Sequence, residues 1–374
     1  MSSSASLKNR KKYIIGLSVL LLAGAGAAFA GSTSSGPSSL TVAPPGFSKS
    51  VELGDYGLDY ATTGASQVRA DSGGSSGSDC SAVNTSASSA SVNIPADATM
   101  VKAYLYWVGL ERHGGRGYNA VQTLNSDVFM TTASGMSATV AADKRMVATG
   151  SFNGGPVQYA AYQADVTSLV GPSMTGTYTV AIGGGIPGLC AYQGENVRAW
   201  QLVMVYDTPA LDYSKVYIYD GLDYLVDTTT KIGISGYLAP AGRTSTLTAF
   251  VGQGDNNLSG EYANTSDPNF PDFGTNFANE TVNGSGATAN GQAIDIDTLT
   301  GELTPLSTSM DIDMGTSQDV ILPVTFVLKM ASFPGGVVPP TVPSTAAVSS
   351  TSPTVAATTE APTTTSTLPF YPPT

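Results

Sequence analysis

Histidine occurs once in this chain, at His113, and cysteine twice, at Cys80 and Cys190. A Ser-His-Asp hydrolase would need His113 as its base beside a positioned serine and aspartate. No G-x-S-x-G turn marks a nucleophile. One histidine and two cysteines also fall short of the usual zinc ligand sets. His113 sits in Glu111-Arg112-His113-Gly114-Gly115, which reads as an exposed loop. Basic residues are scarce too: 16 Lys and Arg stand against 28 Asp and Glu, a net charge of −12. That balance excludes nucleic acid held through its phosphates. Charged residues make up only 12% of the chain, and no long amphipathic helical pattern occurs. An all-β protein with many turns is expected.

The N-terminus reads as an export signal. Lys8, Arg10, Lys11 and Lys12 precede the apolar run Tyr13 to Ala27, and Ala28-Phe29-Ala30 is a small-x-small cleavage site. The run is short for a membrane span, so no span is expected after cleavage of residues 1–30. Cleavage removes four of the 16 basic residues and no acidic one, which makes the mature chain more acidic still. In an exported chain, Cys80 and Cys190 read as a disulfide; two free thiols are the alternative. Residues 31–50, rich in Ser, Thr, Gly and Pro, read as a flexible leader. From 334 the composition turns to Pro, Thr, Ser, Val and Ala with the single charge Glu360. This is the pattern of a disordered tail of the composition that carries O-glycans.

Between them, 51–333 reads as a β-sandwich or jelly-roll-like domain. Its strongest stretch is Ala199 to Leu225. There Trp200, Leu202, Met204 and Tyr206 alternate with Gln201, Val203 and Val205, and Pro209 breaks the strand. Both faces are largely apolar, as in a central strand. Lys215 to Tyr219 follows as a second strand. Met100 to Leu110 is the other strong strand, with Val101, Ala103, Leu105 and Trp107 on one face. The apolar neighbours of Trp107 and Trp200 make both rings core residues rather than sugar platforms. Further strands are expected at Thr244 to Gly252, Ala293 to Thr298 and Met310 to Met314. Val320 to Met330 is another, with Pro323 at a bulge or edge. Asp165 reads as the N-cap of a short helical turn. The glycine run 183–188 lacks the lysine and following helix of a phosphate loop.

Eight stretches in order carry a resemblance: IPADATMVKAYLYWVG (94–109), YQADVTSLV (162–170), GTYTV (176–180), AWQLVMVYDTP (199–209), KVYIYDGL (215–222), GDNNLSG (254–260), NFANETVNGSG (276–286) and AIDIDTL (293–299). Together they resemble a β-sandwich domain of exported bacterial and archaeal surface proteins. That domain is often found ahead of Ig-like repeats and Pro/Thr-rich linkers. The resemblance covers about 90–333 and implies an extracellular, structural or adhesive setting. It supplies no catalytic residues. The chain departs from the pattern in having no Ig-like repeats after the domain.

Carboxylates are the remaining candidates for chemistry. Asp295 with Asp297, and Asp311 with Asp313, share strand faces. A glycosidase needs two carboxyls facing across a cleft, and these pairs read instead as solvated sides of half-buried strands. The loop 253–275 gathers Asp255, Asn256, Asn257, Glu261, Asp267, Asn269 and Asp272. That oxygen-rich composition suits calcium without the spacing of an EF-hand; a hydrated Asn/Asp loop is the plainer reading. Asn84, Asn257, Asn264, Asn279 and Asn283 begin N-x-[ST] sequons. The sequence therefore leads to a secreted, non-catalytic, adhesin-like or structural protein of the cell surface, a subunit of an appendage or coat. Its expected partners are other surface proteins, copies of itself, or glycans. A secreted carbohydrate-binding module is the alternative, and a glycoside hydrolase the third reading.

Overall fold

The computed structural model describes residues 40–338, apart from 45, 69–86, 116–117, 153, 172, 186–196, 210–211, 254–259, 276, 279–281, 283–293 and 318. Among the described residues the fold is all-β. Twenty strands run in chain order: β1 (Thr41–Val42), β2 (Ser48–Tyr56), β3 (Leu58–Ser66), β4 (Ser88–Val92), β5 (Thr99–Gly115), β6 (Tyr118–Val121), β7 (Leu124–Thr131), β8 (Ser137–Ala141), β9 (Lys144–Phe152), β10 (Gly155–Asp165), β11 (Gly176–Gly184), β12 (Arg198–Asp207), β13 (Tyr213–Asp220), β14 (Thr229–Ser235), β15 (Thr244–Gly252), β16 (Tyr262–Thr265), β17 (Gly274–Thr275), β18 (Ile294–Glu302), β19 (Ser309–Gly315) and β20 (Leu322–Ala331). A single helical turn, α1 (Thr167–Val170), follows β10. No described helix is long and apolar enough to cross a membrane.

The strand order shows an internal repetition. One inner sheet runs β1-β9-β10-β5-β12-β3, with β6 added beside β5, and its outer partner runs β4-β11-β7-β8. The second inner sheet runs β18-β15-β20-β13-β2, and its outer partner runs β14-β19-β16-β17. Pair β3, β4, β5, β7, β8, β10, β11 and β12 in turn with β13 to β20. The sheet β10-β5-β12-β3 then maps onto β18-β15-β20-β13, and β4-β11-β7-β8 onto β14-β19-β16-β17. Each set of eight antiparallel strands has the strand order of a jelly roll. Within the stretch expected to hold one sandwich, two such rolls lie in tandem inside one compact unit.

Alternating side chains stack the four sheets as layers. On β5, Tyr106, Val108 and Leu110 enter a cluster shared with Val216, Ile218, Phe250, Ile296, Leu322 and Val327 of the second roll. Trp107 and Trp200 point the other way, under the first outer sheet. Their indole nitrogens donate to the Asn125 carbonyl (3.1 Å) and to Ser88 Oγ (2.9 Å). The second roll fills its own interior with Tyr217, Leu247, Phe326, Leu328, Ile232, Ile312 and Met314. Both inner sheets are therefore covered on both faces, and β12 is buried from Arg198 to Tyr206. The contact between the rolls is close enough to require a glycine. A Cβ on Gly64 would lie 2.4 Å from Ile296 Cδ1 and 2.3 Å from the Trp200 carbonyl.

Several sequence expectations are corrected. The expected leader 31–50 contains β1 and the start of β2 among its described residues. β1 joins β9 through backbone pairing, which needs no apolar composition. Strand β9 was not foreseen; it opens on the charged pair Lys144-Arg145, whose partners lie on other strands. Asp165 is not the N-cap of α1; that position is Val166, and Asp165 Oδ1 accepts the Thr167 N–H at 2.9 Å one residue earlier. Pro323 does lie beside a register shift, between Phe250 and Val251 on the neighbouring strand. The export signal, Cys80, Cys190 and the tail from 339 lie outside the described residues.

Polar groups pin the two rolls together across an otherwise apolar contact. Tyr60 Oη and Thr248 Oγ1 share a bond of 2.8 Å, and Thr325 Oγ1 donates to Gln201 Oε1. Lys329 reaches Asp59 at 2.8 Å. Lys144 of β9 is ion-paired with Asp220 of β13, whose other oxygen accepts from Tyr106 Oη at 3.3 Å. The Asp220 side chain is fully buried. Removing one partner of such a pair leaves a buried, uncompensated charge and costs about 3–5 kcal/mol. Lys144→Met should show that loss in denaturant unfolding, and Lys144→Met with Asp220→Leu should recover most of it. Equal stability of the single variant and wild type would show that the pair does not join the rolls.

The tyrosines give a pH dependence. Burial raises the phenols of Tyr60, Tyr106 and Tyr217 far above their ordinary range, and those of Tyr178, Tyr206 and Tyr237 to about 12. The unfolded chain ionises these phenols near pH 10, so the folded state holds its protons longer. Their stabilisation is complete below about pH 10 and is lost as the pH rises toward and through the folded values. Phenolate absorbance should lag behind that of free tyrosine and then rise cooperatively with unfolding between about pH 10 and 12. Free titration near pH 10 with the fold intact would contradict this packing.

Candidate functional site

The carboxylates gathered in 253–275 are used by the fold where they are described. Both oxygens of Asp267 accept the Thr304 N–H at 3.1 Å, and Oδ1 also takes Thr304 Oγ1 at 2.8 Å and the Asn269 N–H at 3.0 Å. Asp272 Oδ1 accepts the Thr265 N–H at 2.6 Å. Glu261 is buried. Asp255, Asn256 and Asn257 lie outside the described residues. Among the described residues no three His, Cys, Asp or Glu side chains stand close enough to hold a metal. Asp267 is thus a loop closer, tying the turn after β16 to the end of β18.

His113 is not in an exposed loop. Strand β5 continues through it, opposite Val157 and Ala120, and the ring is only 2% exposed. The two glycines after it are strand residues, because the long β5 is extended by its pairing with β6. Burial lowers the imidazole pKa, so the ring is neutral near pH 7. Asp295 is buried rather than solvated: it alternates with Ile294 and Ile296, which face the contact between the rolls, and so lies on the other face of β18, opposite Val251 of the second roll's own interior. Asp311 and Asp313 do lie on the solvent side of β19, with Asp311 paired to Lys231 at 2.7 Å.

The most elaborate polar cluster surrounds Glu111, which the sequence did not single out. The β5–β10 register passes from Leu110↔Tyr159 to Arg112↔Gln158, leaving Glu111 as the extra residue of a β-bulge. Its buried carboxylate takes Arg145 and accepts from Gln158 Nε2 (2.8 Å) and the Leu124 N–H (3.1 Å). Arg145 Nε also donates to Tyr162 Oη at 3.1 Å, and that hydroxyl donates to the Leu124 carbonyl at 3.1 Å. Tyr162 stacks on Trp107 at 5.5 Å. Glu111 and Tyr162 together hold the 122–124 connection onto the inner sheet through the Gln122 and Leu124 main chain. The cluster is full, with no oxygen left facing a cleft.

Two of the accessible features bring several polar side chains together. A cleft of about 300 Å³ opens where the rolls meet, lined by Asp59, Asp212, Arg243, Lys329, Ser214 and Thr244 among others. Its carboxylates are each ion-paired, Asp59 with Lys329 and Asp212 with Arg243 at 2.9 Å. A glycosidase acid requires an unpaired, desolvated carboxyl. The other feature is the outward face of β4-β11-β7-β8. Register rows place Ser91 beside Thr177, then Ser89, Thr179, Thr131 and Ser137 in line, then Ala181, Phe129 and Thr139. Neighbouring hydroxyls bond along these rows: Ser89–Thr179, Ser91–Thr177 and Thr131–Ser137, each at 2.8 Å. Phe129 is 51% exposed in the middle, and Asp127 is the one charge that these four strands turn outward. Among the described tyrosines only Tyr56 is strongly exposed, so the abundant tyrosine mainly fills the interior.

Comparison of the chain with protein-family models, with curated proteins and with solved structures gives no match. What the geometry offers is surface: an uncharged hydroxyl grid and a narrow charged cleft. Asp267→Ala should lower stability by about 1–3 kcal/mol through its orphaned donors. Urea melts with and without calcium should show the same deficit. Stabilisation of wild type alone by calcium would support the metal reading.

Proposed function

We propose that the protein is an exported, non-catalytic component of a cell surface or extracellular layer, acting by contact through its first outer sheet. The observation that carries this reading is the hydroxyl face around Phe129. A chain of net charge −12 turns one charged side chain outward from four strands. Like charges repel across a contact, and a face nearly clear of carboxylates lowers that cost. Its hydroxyl rows and one apolar ring suit a broad, non-covalent contact. The signal-like N-terminus and the resemblance to surface-protein domains support the same location. Jelly rolls serve structural and sugar-binding roles alike, so the fold itself favours neither.

A carbohydrate-binding module is the second reading, favoured by the same exposed ring among hydroxyls, since an aromatic face stacks on apolar sugar faces while hydroxyls orient them. Phe129→Glu and Thr179→Lys separate the alternatives. Neither side chain packs inward, so both variants should melt within a few degrees of wild type. Under the contact reading, both should abolish higher-order assemblies in electron micrographs of native secreted material, or cell adherence. Loss of retention on insoluble polysaccharide alone would select the sugar reading. Unchanged behaviour in all three assays would remove this face from the function.

A further inference from the structure

Among the described residues Arg198 is the buried cation that lacks a carboxylate partner. It opens β12 opposite Gly109 and is only 5% exposed. Other sheltered cations have their carboxylates: Lys144 has Asp220, Arg145 has Glu111, and Lys329 has Asp59. Arg198 has none among the described residues. Its guanidinium carries five N–H donors, and one of them, on Nη2, meets the Gly184 carbonyl. Glu111, on the same face of the inner sheet, is already held by Arg145.

The local backbone explains how a carbonyl comes to stand where a carboxylate would. Gly184 and Gly185 both have left-handed φ, +68° and +67°, turning the end of β11 back over the inner sheet. The Gly185 N–H fixes that turn on the Thr123 carbonyl at 2.8 Å. A Cβ on Gly185 would lie 3.1 Å from Leu124 Cδ1 and 3.5 Å from Arg198 Nη2. Glycine therefore lets main chain, and no side chain, close against the guanidinium. Burial lowers the pKa of Arg198, the mark of a charge that has lost water without gaining a counter-charge.

We infer that Arg198 anchors a binding site for an oxyanion, a carboxylate or sulfate group carried by a small ligand or an acidic glycan. The planar guanidinium matches such a group through paired N–H bonds, and its arrival would compensate the buried charge. This goes beyond the contact face and stands or falls separately from it, because Arg198 points beneath the outer sheet and Phe129 away from it.

The test is a thermal melt of the full mature protein at fixed ionic strength in a chloride buffer. It is titrated in separate arms with sodium sulfate and sodium glucuronate, and glucose serves as the uncharged control. The expected result is a saturable rise of several degrees in wild type, absent in Arg198→Met and weakened in Arg198→Lys. Response to sulfate alone identifies a sulfate-type ligand, and response to glucuronate identifies a carboxylate. In chloride alone, Arg198→Met should melt at or above wild type, since it removes an uncompensated charge. If that variant does not fold, the Arg198 Nε resonance of wild type should move saturably with the same anions. Unresponsive wild type in both arms would overturn the assignment. So would a loss of stability in Glu195→Gln with no anion effect, which would mean that the chain supplies its own counter-charge.

Discussion

Everything in this structure depends on one contact, the inner sheet of the first roll laid on the inner sheet of the second. An antiparallel sheet usually keeps one face for the core and one for water. Here the shared cluster of Tyr106, Val108, Val203, Phe250, Ile296 and Val327 removes water from the second face of each inner sheet. A fully buried aliphatic or aromatic side chain contributes on the order of 1.5–3 kcal/mol, so this layer outweighs any single polar pin. The pins have another task. Gln201 with Thr325 and Tyr60 with Thr248 bond only in one register, so they select one docking among the several that an apolar contact would tolerate.

The layering also explains what was legible in the sequence. The stretch 199–207 shows apolar residues on both faces, and the reason is that β12 lies between two layers. The all-β class and the places of the strongest strands could be read from the same alternation, although β5 runs on past Leu110 to Gly115. The duplication could not, because a jelly roll is defined by which strands pair, and pairing leaves no local trace in composition. Glu111-Arg112-His113 misled, and β9, which opens on Lys144-Arg145, was missed. Charge and imidazole next to glycine signal solvent in a single segment. Here Lys144, Arg145 and Glu111 have their partners on other strands, Asp220 being far along the chain.

The surface candidates were the least visible. Ser89, Thr131, Thr179 and Ser137 lie in different segments, each resembling an ordinary Ser/Thr strand edge. Only the register of β4, β11, β7 and β8 brings them into one row. Asp267, by contrast, stood out in the sequence because it is surrounded by oxygen donors. It proved to be occupied with a backbone N–H and a hydroxyl from the end of β18, the usual work of an aspartate at a turn.

The path of the first described strands bears on how the chain must mature. β1 adds to the first roll, whereas β2, only a few residues later, hydrogen-bonds to β13 at the edge of the second. β13 follows the whole first roll in the chain. In a chain synthesised N-terminus first, β3 to β12 can close on themselves while β2 still has no strand to join. Its nine residues then wait as an open ribbon until β13 emerges. Lys49, Glu52 and Asp55, exposed along that ribbon, are the residue types that discourage pairing with a foreign strand. The N-terminal ribbon is thus a clasp whose partner strand lies after the whole first roll in the chain, so it can shut only once β13 is present.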